Sequence, residues 1–195
     1  LRLLNYPLQA LVSDDNLNIH NACKNMFPKH VWQLCINHFK ENIRKSLQTR
    51  TDPTYKPFMI DLENLFKTKR SEDDFNRIAH NIVNKYIDDT LCIAVLADIK
   101  HRKENLMGYL SFKGTPRTNN LIECFNSHLN GRLKTIKGFE SFKHADLWLN
   151  GYFLRRRLRV FKDCDGKFKK LNGNCSLSFS LTESENLKKL QSMFR

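Results

Sequence analysis

The 195-residue chain is long enough for one domain of ordinary size, or for a domain with a helical appendage. Hydrophobic residues make up 41% and aromatics 11%, which excludes a disordered tail, and only 7 Gly and 5 Pro argue against a turn-rich all-β fold. A net charge of +13 points to a polyanionic partner: nucleic acid first, an acidic membrane surface or acidic protein as the alternative.

In chain order, Leu8 to Val12 is a short apolar run that reads as a buried strand of a parallel sheet. It stops at Ser13-Asp14-Asp15-Asn16, turn and cap residues from which Leu17 to Met26 extends as a helix that Phe27-Pro28 ends. Val31, Trp32, Cys35, Ile36, Phe39, Ile43 and Leu47 recur at helical steps and predict one amphipathic helix from Lys29. Thr49 to Pro57 is a linker. Ser71 to Asp74 caps a helix striped by Phe75, Ile78, Ala79, Ile82, Val83 and Tyr86. Another helix covers Thr90 to Asn105, with Leu91, Ala94, Val95 and Ile99 on one side. Residues 58–107 therefore look like a helical insertion.

Lys113-Gly114-Thr115-Pro116-Arg117 breaks the pattern, and Thr118 caps a helix with Ile122, Phe125, Leu129 and Leu133 as its buried stripe. Gly138 ends it. A further helix runs from Glu140 into Arg155-Arg156-Arg157, with Trp148 and Tyr152 on its apolar face. Asp165-Gly166 within Val160 to Leu171 predicts a β-hairpin, and Thr182-Glu183-Ser184-Glu185 a capping box before a last helix. The six cysteines lack paired spacing, and no signal peptide or long apolar run occurs, so the chain is expected to be intracellular, with reduced thiols and no membrane anchor. Between Lys100 and Lys162 stand fourteen Lys and Arg against four Asp and Glu, a local excess of ten that suits a phosphate-tracking surface or, more plainly, a solvated face.

Asp14 stands where a rigid strand ends, the edge at which open α/β sheets place ligands; equally, Asp14 or Asp15 caps the next helix, or Asp15 caps while Asp14 stays free. Glu123 lies off the apolar stripe, on a face shared with Asn119, Asn120, Asn126, Ser127 and Asn130; it suits a polar site, or is a surface acid. Cys35 and His38 at Cys-x-x-His spacing cannot complete a tetrahedral zinc site alone, and Cys35 reads as core. Arg155, Arg156 and Arg157 read as phosphate contacts or as a basic helix end favoured by the helix dipole.

In this order the chain carries Val12-Ser13-Asp14, then Phe27-Pro28, Gln33, Cys35-x-x-His38 and Asn42, then Thr118-Asn119-Asn120-x-x-Glu123. Together they resemble the Mutator-like DDE transposases and their bacterial insertion-sequence relatives, over roughly residues 6–158. Arg132-Leu133-Lys134 and Gly138-Phe139 resemble the segment after the family's glutamate. The resemblance implies an α/β, mostly helical chain: part of a ribonuclease-H-like core interrupted by an all-α insertion. Residues 1–48 would hold the second-aspartate strand and the following helices, 49–113 the insertion, 114–160 the glutamate helix and a basic helix, and 161–195 a terminal hairpin and helix. It also implies Asp14 as the second and Glu123 as the third of three carboxylates that bind two Mg²⁺ ions, with Mn²⁺ as substitute, for DNA cleavage and strand transfer. Asn119, Asn120 and His38 would support that site, and Arg132, Lys134 and Arg155 to Arg157 would contact DNA. The partners implied are transposon ends, target DNA and further copies of the chain. Only thirteen residues precede Asp14, too few for the strand bearing the family's first aspartate, so the chain is expected to be a C-terminal portion, inactive alone. The alternative is a non-catalytic DNA-binding remnant.

Overall fold

The computed structural model describes residues 8–179. They fall into two compact units, the first ending at Leu129 and the second beginning at Asn130. The terminal capping box, 182–185, lies outside the described residues.

The first unit is mostly helical around a two-stranded parallel sheet. Strand β1 (Ala10–Ser13) pairs in register with β2 (Val31–Leu34), Ala10 opposite Val31 and Ser13 opposite Leu34. Between them runs α1 (Leu17–Met26), the crossover that a parallel pair needs. Its cap is Asn16, whose side chain accepts the Asn18 and Ile19 amides, and not Asp15. Asp15 instead pairs with Arg102, which also binds Asp98 at 2.7 Å. The β1 strand is only half-buried apart from Ser13, so the fully buried strand expected from its apolar run does not form; among the described residues it pairs on one side only.

The single helix expected from Lys29 divides. Val31 to Leu34 form β2, and only Ile36–Ser46 forms the helix, α2. A β-branched and aromatic stretch fits a pleated surface, and four residues are too few for periodicity to tell strand from helix. Beyond the linker come α3 (Lys56–Leu65), α4 (Glu72–Lys85), α5 (Thr90–His101), α6 (Lys103–Leu106) and a 3₁₀ turn at Gly108–Leu110. The α4 cap is as expected: Ser71 accepts the Asp74 amide, and three acidic residues sit in the first turn. The α5 face is rotated from the expected one. Cys92, Leu96 and Ile99 are buried while Leu91 is exposed, and the helix breaks at Arg102.

One core joins all of these. Leu34 of β2 and Ile36, Phe39 and Ile43 of α2 pack with Phe58 and Leu62 of α3, Phe75 of α4 and Leu96 of α5. The helices after residue 55 thus bury the apolar face of α2, and neither set has a separate core.

A buried polar side chain closes this unit. Gln33 is fully buried on β2; its Oε1 accepts the Tyr109 amide at 2.9 Å, and its Nε2 donates to the carbonyls of Leu106 (3.0 Å) and Leu34 (2.8 Å). The close approach requires Gly108, where a Cβ would stand 2.7 Å from the Trp32 carbonyl oxygen. Asp61 of α3 binds Lys85 (2.7 Å) and Tyr86 (2.8 Å) at the end of α4. Burial opposes its charge, but these two partners hold its carboxyl below the usual range.

Helix α7 (Asn120–Leu133) starts one residue after Asn119, whose carbonyl accepts the Ile122 and Glu123 amides. The expected buried stripe does not form: among the described residues none of α7 is buried, and Leu121 and Ile122 are 83% and 52% exposed. In the second unit α8 (Phe142–Leu158) is capped by Ser141, and Trp148 stacks on Tyr152 at 5.4 Å. The expected hairpin is absent. A single antiparallel bridge joins Val160 to Cys175, and Gly166–Leu171 between them winds as 3₁₀ turns. Asp165 turns its side chain onto the Gly166 amide, starting a helical turn instead of a two-residue strand reversal.

Replacing Gln33 by Leu would strand the Tyr109 amide and the Leu106 carbonyl in the core. We expect Gln33→Leu to cost about 2–4 kcal/mol, read as a lower urea midpoint at unchanged slope.

Candidate functional site

The candidate site lies at the carboxyl ends of β1 and β2, where both strands hand over to loops. Ser13 ends β1, and its carbonyl accepts the Cys35 amide at 2.7 Å just beyond β2. Asp14 follows Ser13 directly. Its carboxylate is half-buried and makes no hydrogen bond or ion pair among the described residues. Its backbone is held from behind: Trp32 Nε1 donates to Ser13 Oγ (2.9 Å), which donates to the Asp14 carbonyl (2.9 Å). His20 of α1 stacks on the Trp32 ring at 3.8 Å. Burial first, then the charges of His30 and Lys24, keep His20 below the ordinary imidazole pKa and favour its neutral form.

The first turn of α2 is laced to the start of α7 by three side-chain pairs. Cys35 Sγ donates to Asn119 Oδ1 at 3.1 Å, Asn37 Nδ2 donates to Asn120 Oδ1 at 3.1 Å, and His38 Nε2 stands 3.3 Å from Glu123 Oε1. The spacing explains the pairing. Cys35, Asn37 and His38 span one helical turn, as do Asn119, Asn120 and Glu123, so two turns brought side by side meet at corresponding heights. A backbone bond from the Ile36 amide to the Arg117 carbonyl (3.0 Å) fixes the approach. Arg117 in turn donates to the carbonyls of Phe66 (2.7 Å) and Lys67 (3.1 Å) at the end of α3, and Lys69 donates to the Thr115 carbonyl (2.8 Å). The loop before α7 is thus anchored on the helices that follow the linker.

Cys35 is core, as the sequence predicts, yet its thiol also holds Asn119. Cys35 and His38 turn to different partners on α7, and among the described residues no group of three or more His, Cys, Asp or Glu side chains is gathered closely enough to hold a metal ion. His38 Nδ1 is buried without a hydrogen-bond partner, while Nε2 faces Glu123. Glu123 itself is half exposed. Asn37 and Arg117 carry no signal in helical periodicity, because each acts across elements distant in sequence, and Trp32, counted in a helical stripe, lies on β2.

The basic candidates Arg132, Lys134, Arg155, Arg156 and Arg157 all belong to the second unit, and Arg132, Lys134, Arg155 and Arg157 are exposed. Arg155 to Arg157 occupy the last turn of α8, where positive charge is favoured by the helix dipole. None of the described helices is long and apolar enough to cross a membrane.

Residues 7–145 match the family model for transposases of the Mutator family, and the chain belongs to that family. The match spans β1, α2, the intervening helices and α7, so the elements that meet at Cys35 and Asn119 are the family's own. Its general role is transposition, with DNA as the partner. No curated protein and no solved structure matches the chain.

Accessible thiols provide a check on this arrangement. Cys124, beside Glu123, is exposed, whereas Cys35, Cys92 and Cys175 are buried. Burial, aided by the nearby Asp89 carboxylate, pushes the Cys92 thiol up to about 12. Iodoacetamide at mildly alkaline pH should label Cys124 first and Cys35, Cys92 and Cys175 only after unfolding, as peptide mapping would reveal.

Proposed function

We propose that the chain carries two of the metal-binding carboxylates of a DDE transposase, Asp14 and Glu123, on part of a ribonuclease-H-like core. The observation that carries this reading is the triple lacing of Cys35, Asn37 and His38 to Asn119, Asn120 and Glu123. It sets the Glu123 turn against the residues immediately beyond β2. The Ser13–Cys35 backbone bond joins the same point to the end of β1, next to Asp14.

The donor chemistry suits Mg²⁺. That ion takes oxygen ligands and is commonly held by one or two carboxylates, with water and substrate phosphate filling the octahedron. Asp14 offers a carboxylate without a competing partner among the described residues, and Glu123 a half-exposed one with a single contact. Asp14 and Glu123 would hold such an ion, whose charge would favour an in-line phosphodiester displacement. The remaining work falls to the protein. His38 restrains one Glu123 oxygen and so orients the other, a partner once removed from the metal. Cys35 and Asn37 hold the two asparagines, which keeps the first turn of α7 from rotating. Trp32, through Ser13, fixes the peptide that carries Asp14.

The positive surface of the second unit serves DNA in this reading, with Arg155 to Arg157, Arg132 and Lys134 as phosphate contacts. Such contacts release counterions and orient the duplex without reading its sequence.

In the full-length protein, Asp14→Asn and Glu123→Gln should each lower Mg²⁺-dependent cleavage of element ends by more than about 100-fold while DNA binding persists. Undiminished cleavage by either variant would overturn the assignment. His38→Ala should cost about 10–100-fold in cleavage or in metal affinity, the range for a residue that orients a ligand. Neutralising Arg155, Arg156 and Arg157 together should weaken DNA binding and flatten its salt dependence, by roughly 0.9 in slope for each phosphate no longer neutralised, measured by fluorescence anisotropy.

A further inference from the structure

A cleft of about 530 Å³ opens in the first unit between α2, the end of α3 and residues 117–118. We infer that it seats the sugar–phosphate backbone of a DNA strand beside the α2–α7 junction, an inference that rests on the proposed function. Its volume is much larger than one phosphate group needs and falls within the range of ligand sites.

The charge of its walls is positive. Lys40, Lys67 and Arg117 line it against one acid, Glu63. Glu63 is already engaged by Lys40 at 2.6 Å and by Arg44, so its charge is neutralised within the wall. Arg117 donates to main-chain carbonyls and is not paired with Glu63. The Lys67 side chain is exposed, and its ammonium makes no hydrogen bond or ion pair among the described residues. Asn37, Asn64 and Thr118 add neutral donors. The one aromatic in the lining, Phe66, is 6% exposed and offers no face for a base to stack on. Cations and amides without a stacking platform select phosphates over bases.

The position adds direction. Asn37 lines the cleft and also donates to Asn120, at the head of the helix that carries Glu123. A strand held by Lys67 and Arg117 therefore lies beside Asn37, one hydrogen bond from the start of the helix that carries Glu123.

The test is equilibrium binding of the chain to a short fluorescein-labelled DNA duplex, its single strand and an RNA of the same sequence, across a range of salt. Lys67→Glu should weaken DNA binding roughly tenfold and reduce the salt slope by about 0.9, and Lys67→Arg should restore both. Lys56→Glu, an equal charge change at the exposed start of α3, should have a much smaller effect. The inference fails if Lys67→Glu and its milder form Lys67→Ala leave affinity and slope unchanged, if Lys56→Glu matches the loss, or if only RNA binding suffers. Cleavage that survives Glu123→Gln would sink the catalytic assignment and leave the Lys67 result standing. A chain without measurable affinity for DNA would overturn the cleft and the DNA-binding role together.

Discussion

At Cys35 three elements of the first unit converge. Its amide is bonded to the end of β1, its carbonyl accepts the Phe39 amide within α2, and its thiol is bonded to the residue before α7. A larger side chain has no room there, since the residue is fully buried, and a hydrophobic residue of similar size would leave Asn119 without its donor. A thiol satisfies both conditions, being small and apolar enough for a core and still a weak donor. That double role ties the end of β1 and the start of α7 to the head of α2. Without it α7 has no buried side chain of its own to dock with.

The parts of this architecture visible in the sequence are those written within a few residues. The limits of α1, the Ser71 cap with its acidic turn, and the stripe of α4 all follow from local spacing. Elsewhere the outcome is decided by distant partners. Val31 to Leu34 repeat like a helix but bond to β1, and the α5 face is turned because Leu96 meets the core while Leu91 does not. Asp165-Gly166 has the composition of a hairpin turn, yet the strands that would flank it pair at only one bridge. For the site, ordered motifs mark out Cys35, His38, Asn119, Asn120 and Glu123. Their mutual pairing is not legible, because it joins residues more than eighty positions apart.

Charge in this protein is organised on two scales. Within the first unit, acids are matched closely: Asp15 with Arg102, Asp61 with Lys85, Glu63 with Lys40 and Arg44. These pairs fasten elements together and leave little net field. The excess resides where cations outnumber available acids, on α8 and around Lys67. Mostly exposed pairs such as Arg77–Asp74 contribute modestly to stability in water. Unmatched cations act through the field they present to a polyanion.

The buried Gln33 also has a bearing on the order in which the chain acquires its shape. Its partners at Leu106 and Tyr109 lie 73 and 76 positions further along, so β2 cannot satisfy its own side chain until the chain has closed a long loop. Closing such a loop costs entropy before any contact compensates, and contacts of wide sequence separation slow folding. Helices α3, α4 and α5 shorten the effective path by condensing the intervening segment. The polar side chain at the centre of β2 is therefore satisfied only when residues 106–109 have come back to it, which makes the strand's stability a property of the whole first unit and not of the sheet alone.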